Sequence, residues 1–414
     1  MREPLQRTRL PVPGAMAFAL GLTAGVASAQ APQHQHYESA PQAEQPSATG
    51  QMAPRLQNLG AHTFPVSTKS RQAQLFINQG VNLAYGFNHA EAGRAFPEAA
   101  RLDPDCAMAY WGQALVLDPN INVPMSPDDE PKARELAQKA VTLKPKASPR
   151  ERAYIDAVAR RYSGRAEDRK ARDQDYADAM RDLHRRYPDD LDAATMYAEA
   201  LMDLRPWGYW MPDGRPYPGT PEAVATLEGV LQRNPRHPGA NHYYIHLLEP
   251  TKNPERAEAA ADRLLKLMPG AGHMVHMPSH IYQRVGRYAD AAASNEQAVL
   301  ADEDYIAQCR AQGIYPMGYY PHNIHFLWWA SAMEGRSKAY TEPAEWNYPV
   351  RQLLGAVLLE AGRAKEAETV WEDLKRNPEN GWSLFGLAQA LKSQGRGAAP
   401  IEERFRKAWG RGDV

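Results

Sequence analysis

Seven of the thirteen histidines fall in one stretch: His242, His246, His273, His276, His280, His322 and His325. Neutral imidazole is the commonest protein ligand for transition metals, so such a run is read first as a metal or ligand site. The spacing sharpens that reading. His242 and His246 recur thirty-four residues later as His276 and His280. Residues three or four apart on a helix carry Cβ atoms ~5–6 Å apart, close enough to clamp one ion. His242/His246, His276/His280 and His322/His325 all have that spacing.

The elements that position these side chains follow from a second pattern. Phe76, Gly80, Leu83, Ala92, Phe96, Ala99 and Pro104 have the spacing of a tetratricopeptide (TPR) unit, a helix–turn–helix of ~34 residues. Small residues at Gly80 and Ala92 let its two helices approach, and Pro104 ends the second. Looser units close at Pro145, Pro188, Pro235 and Pro269, and another carries Gly286, Tyr288, Ala291 and Ala298. A final pair starts near Tyr348, with Gly355, Leu358, Ala367 and Trp371, then Leu384, Ala388 and Leu391. The pattern predicts an all-α fold, a TPR-like α-solenoid, with at most a short extended piece at Thr63–Val66. A Trp/Gly/Pro-rich insertion runs from Pro206 to Pro218, and the turn at Glu334–Ser337 is followed early by Pro343, which cuts its second helix short.

In such arrays the first helix of each unit lines the concave groove. In register, the groove slots are Gly239, His242, His246; His273, His276, His280; and His322, His325, Trp329. Seven of these nine hold histidine, where composition alone gives roughly 0.3. The preceding unit offers Asp192, Thr195 and Glu199, so the predicted ligands are the seven histidines with Glu199 as carboxylate, Glu249 being a further oxygen donor. Pro278 falls between His276 and His280, so a helix is expected to start there and to leave His273 and His276 on the turn leading into it. Imidazole donors suit zinc, copper, nickel or iron, and Met274, Met277 and Met317 tilt the reading toward copper. Retention of metal is expected to fall as pH drops through ~6, because protonated imidazole cannot coordinate.

The segments FNHAEAGRAFPEAARLDPDCAMAYWG, HYYIHLLEP, HMVHMPSHIYQRVGRY, GIYPMGYYPHNIHFLWWASAMEGRS and NGWSLFGLAQAL resemble a bacterial family of exported TPR proteins, over most of residues 56–396. The resemblance implies a fold and a histidine site, and no reaction. Members of that family carry more helical units between the EGRS turn and the Tyr-Pro-Val-Arg segment, whereas this chain passes almost directly from Ser337 to Tyr348.

Composition and the ends bound the rest. A net charge of −1 with interspersed signs gives no basic field for nucleic acid or an anionic membrane. Arg2, Arg7 and Arg9, the small apolar run from Ala15 to Val26 and Ala27-Ser28-Ala29 read as a secretory signal over 1–29, which implies export, in a bacterium to the periplasm. The run is too short and too rich in small residues for a membrane anchor. A polar tether is expected over 30–57, then an array over 58–337 and a C-terminal pair over 338–414. Cys106 and Cys309 are open to either a disulfide or two buried thiols.

Neither HYYIH nor HMPSH carries the inner glutamate of a zinc protease, and phosphate-binding glycine loops and serine elbows are absent. The sequence thus predicts a scaffold that takes a protein, peptide or small-ligand partner in its groove and carries a divalent transition metal there, copper or zinc, with iron as a third choice. Two other readings use the same residues: a metal-dependent hydrolase or oxidoreductase, and a metal-free interaction module.

Overall fold

In the computed structural model, residues 50–163, 168–309, 311, 315–334, 350–371 and 381–409 are described. The expected signal segment, the tether as far as residue 49, and the seam at Ser337 lie outside them. The described residues form an all-α, TPR-like solenoid. Successive hairpins pair α1 (Arg71–Tyr85) with α2 (His89–Leu102), α3 (Ala107–Leu115) with α4 (Glu130–Leu143), and α5 (Pro149–Arg161) with α6 (Arg169–Arg186). Then come α7 (Leu191–Asp203) with α8 (Thr220–Arg233) and α9 (Pro238–Leu248) with α10 (Glu258–Leu264). Next, α11 (Gly272–His276) and α12 (Pro278–Val285) share α13 (Tyr288–Cys309), which packs on α14 (Tyr320–Glu334). Last are α15 (Val350–Glu360) with α16 (Ala364–Trp371) and α17 (Gly381–Ser393) with α18 (Ala399–Trp409), around a second, smaller core.

The repeat geometry rests on an aromatic ring set between glycines. A Cβ on Gly80 would lie 2.6 Å from the Phe96 ring, and one on Gly112 only 2.3 Å from it. Phe96 on a second helix is thus wedged against the first helix of its own unit and that of the next. Trp371 does the same between Gly355 and Gly386, where an added Cβ would come within 2.3 and 2.1 Å of its ring. This interdigitation sets adjacent first helices side by side: α1 on α3, α3 on α5, α7 on α9, α9 on α12, α11 on α14. The curl brings α1 back onto α9 as well. There Gly239 is required, since a Cβ would meet the Tyr85 ring at 2.5 Å. Every residue of α9 is buried, as expected of a helix surrounded on all sides.

The N-terminal segment corrects two expectations. Residues 50–57, assigned by composition to a disordered tether, lie along α1 and α2 with Ala53 and Leu56 buried. Thr63–Val66 forms no strand. Both stretches satisfy their backbone through side chains instead: Met52 N–H donates to Glu98 (2.9 Å), Leu56 N–H to Gln79 (3.0 Å), Phe64 N–H to Asn78 (3.0 Å) and Val66 N–H to Gln74 (2.9 Å). Side-chain amides on α1, with the Glu98 carboxylate on α2, replace the ladder a strand would need. Cys106 and Cys309 are two separate buried thiols.

Candidate metal centre

Six of the seven predicted histidines converge as two triads. His242, His246 and His273 offer nitrogens within 4.8 Å of one another, and so do His276, His280 and His322. The helix break at Pro278 is where the sequence placed it, but His273 and His276 ride a short helix of their own rather than an irregular turn. Helical dihedrals at Met277 keep α11 and α12 nearly continuous, so His276 and His280 stay one turn apart.

The hydrogen bonds fix which ring nitrogen carries the proton. His242 Nδ1–H donates to the carbonyl of Tyr85 at 2.6 Å, and His246 Nδ1–H to Glu249 Oε1 at 3.3 Å. His276 Nδ1–H donates to Asn295 Oδ1 at 2.6 Å, an oxygen identified because the Asn295 amide N–H is donated to Ala291 O. His280 Nδ1–H donates to Glu249 Oε2. Four imidazoles therefore carry their proton on Nδ1 and an unshared pair on Nε2. Those Nε2 atoms face each other in pairs, 3.0 Å apart for His242/His246 and 2.9 Å for His276/His280. Two opposed lone pairs repel unless a cation lies between them. Nitrogens on one tetrahedral ion at ~2.0–2.1 Å stand about 3.4 Å apart, close to the spacing found. An imidazole that donates its far N–H to a carboxylate or carbonyl is the usual oriented metal ligand.

Electrostatics agree. Burial, then the neighbouring histidines, pushes His242, His273 and His276 well below the ordinary imidazole range, and burial lowers His246 despite Glu249. Neutral rings are the ligating form. Both ring nitrogens of buried His273 lack a hydrogen-bond partner, a state that costs ~1–3 kcal/mol per group unless something fills it. Burial would raise Glu249, but His280 and His246 outweigh it and hold the carboxyl well below the usual carboxylate range.

Each triad has an aromatic wall. Phe87 lies with its ring centroid 4.6 Å from His242 and 5.8 Å from both His246 and His273. Phe326 lies 4.8, 4.5 and 4.6 Å from His276, His280 and His322. Phe87 adopts φ +56°, a left-handed conformation unfavourable by ~1–2 kcal/mol for an L-residue, and its packing on the histidines holds it there. Trp207, from the 206–218 insertion, sets its ring edge-on to His246 at 5.2 Å, while Trp210 Nε1–H donates to Leu247 O at 2.7 Å and pins the insertion to α9. None of these aromatic roles was read from the sequence. Phe326, four residues after His322, was the one legible by helical spacing.

Two predicted site residues lie apart. His325 is exposed and stacks against Trp328, 6.0 Å away. Four residues on from His322, the inward position is Phe326, which leaves His325 on the outer face. Glu199 accepts the Tyr243 hydroxyl at 2.8 Å, and burial raises its carboxyl to about 7. Glu249 is the carboxylate that meets the histidines, behind the ligand atoms rather than among them. Of the methionines, Met274 and Met277 belong to the apolar core and Met317 is 67% exposed.

A third cluster, His62, Asp192 and His237, was not assembled by sequence reasoning, because its members come from three distant segments. It borders a cleft of about 880 Å³ whose lining includes none of the triad histidines. Its protons are arranged the opposite way. His237 Nδ1 caps α9 by accepting from Ala240 N–H at 3.2 Å, so its proton sits on Nε2 and points to Asp192 Oδ1 (3.3 Å) and Thr195 (3.4 Å). A ring so committed has no lone pair for a metal. His62 Nε2 (2.8 Å) and the Tyr85 hydroxyl (2.7 Å) donate to the same oxygen. Burial would raise Asp192, but the bonds from His237 and His62 hold it well below the carboxylate range. Tyr85 joins the two regions, hydroxyl on Asp192 and carbonyl on His242.

No family model matches the sequence, and no curated protein matches it. In structure the chain is similar to the human IFIT1 dimer with m7Gppp-AAAA, at 13% identity and a TM-score of 0.38, over 84% of this chain and 70% of that one. A likeness of that size carries no functional argument.

Proposed function

We propose that this protein is a TPR-like scaffold whose concave wall carries a six-histidine transition-metal centre, one ion at each triad. The observation that carries the reading is the pair of opposed Nε2 lone pairs, 3.0 and 2.9 Å apart, with every matching Nδ1–H tied to an oxygen. All six donors are imidazole nitrogens, which favours copper or zinc, then iron, over magnesium or calcium. Three protein ligands per ion leave a coordination position open, the arrangement of catalytic and ligand-binding sites rather than closed structural ones. A small ligand would reach that position, while a protein or peptide partner would lie in the groove outside it. Export rests on Arg2, Arg7, Arg9 and the Ala27-Ser28-Ala29 site, and the resemblance to exported bacterial TPR proteins points to the same compartment.

The competing reading places a shared proton, not a metal, between each facing pair. Glu249 compensates one such charge, and two protons in a buried row would repel. Metal analysis of tag-free protein separates the two. Retention of about two equivalents per chain, falling to about one in the His276→Ala/His280→Ala pair, supports the metal reading. Protein that binds no zinc or copper above micromolar affinity overturns it.

A further inference from the structure

We infer that the two triads form a single binuclear copper centre that binds dioxygen between its ions, an inference that rests on the metal reading above. The triads are neighbours: the His246 and His280 ring centroids are 6.0 Å apart, and those of His273 and His276 are 5.9 Å apart. One carboxylate orients both, since Glu249 takes His246 with Oε1 and His280 with Oε2. The two triads are therefore adjacent and oriented by one shared carboxylate.

The donor set selects the metal and its chemistry. Three imidazoles with no anionic ligand suit three-coordinate copper(I), whereas zinc in such a site completes a tetrahedron with a fourth ligand. The surroundings select a small, uncharged ligand. Phe87 and Phe326 close one side of each triad, the Trp207 ring meets His246 edge-on, and Tyr319 lies edge-on to His273 at 4.7 Å. His242, His246, His273 and His276 are each no more than 3% exposed, which favours a small ligand over a bulky one. A largely aromatic shell of this kind also limits protonation of a bound oxygen species.

The step balances with copper(I) and dioxygen alone. Each copper gives up one electron and becomes copper(II). Dioxygen gains both electrons, its O–O bond order falls from two to one, and the resulting peroxide dianion is held by both ions. No proton moves, and reversal returns dioxygen and two copper(I) ions.

The test loads tag-free, full-length protein with copper(I) under anaerobic conditions, counts the metal, and then admits oxygen. The expected result is two coppers per chain, uptake of one dioxygen per two coppers, a new intense near-ultraviolet charge-transfer band, and no paramagnetic resonance signal, because the two copper(II) spins couple. Half-buried His322 is the ligand whose replacement disturbs the core least. His322→Ala, checked for native helicity by circular dichroism, should retain one copper and show the resonance of an isolated copper(II) on oxidation. Two retained coppers with no oxygen uptake, or a full-intensity isolated copper(II) signal from the unaltered protein, overturns this inference and leaves the metal reading standing. Failure to retain copper or zinc overturns both.

Discussion

Glu249→Gln is the most informative single change in the centre. The carboxylate accepts Nδ1–H from His246 through Oε1 and from His280 through Oε2. Glutamine keeps one oxygen and replaces the other with an NH₂ group. The contact to His280 is the closer of the two, the His246 distance being 3.3 Å, so the amide oxygen is expected to stay with His280. The NH₂ group then faces the Nδ1–H of His246, and two donors cannot share that bond. His246 relieves the clash by moving its proton to Nε2, which removes the lone pair facing His242. Loss of such a supporting partner typically lowers metal affinity about 10–100-fold, or about 1.4–2.8 kcal/mol. The weakening should fall on the His242/His246/His273 site, with the other triad nearly unaffected. Competition titration against a chelator of known affinity, read by metal analysis, should show one of two equivalents weakened. Two equivalents with affinities within twofold of the parent protein would refute the reasoning.

Three further outcomes follow. Burial and neighbouring imidazoles hold His242, His273 and His276 below the ordinary ~6.5, so metal release on acidification should come below that range rather than at pH 6; dialysis across a pH series that releases metal at pH 6–7 would contradict this. Gly239→Ala drives a Cβ into the Tyr85 ring and should cost ~1–3 kcal/mol in urea unfolding while also weakening metal binding, because Tyr85 carries the carbonyl that orients His242; Gly229→Ala, with open space around its Cβ on α8, should instead stabilise by ~0.5–1 kcal/mol, and equal effects would refute the packing argument. Burial raises Asp302 to about 7 although Tyr315 and Asn323 donate to it, so the native state binds the proton more tightly than the unfolded chain. Its contribution is complete below ~4 and lost as pH rises through 7, by up to ~4 kcal/mol, and Asp302→Asn should flatten that slope in melts at pH 5 and 8.

The parts of this protein legible in the sequence are those set by periodicity. The Phe96 and Trp371 wedges sit at fixed offsets from small residues, so the repeat and the all-α class followed. The thirty-four-residue step from His242/His246 to His276/His280 pointed to four imidazoles that meet in facing pairs, because equivalent helices present equivalent slots. That logic failed at α14, where the inward position four residues after His322 is filled by Phe326, and His325 turns outward beside Trp328. It also favoured Glu199 over Glu249, since slot counting cannot see the turn after α9 that brings Glu249 between His246 and His280. Long-range assemblies left no periodic trace at all. The left-handed turn at Phe87 and the meeting of His62, Asp192 and His237 form where α1 returns to α9, and the 206–218 insertion carries Trp207 to His246.

The most direct measurement is X-ray absorption, with anomalous diffraction, on protein loaded with copper. Two ions, each bound by three imidazole nitrogens through Nε2 and placed between the opposed rings of its triad, are the expected result. Ions coordinated through Nδ1, held at His62 and Asp192, or missing while the Nε2 pairs stay within 3.0 Å of each other, would contradict it.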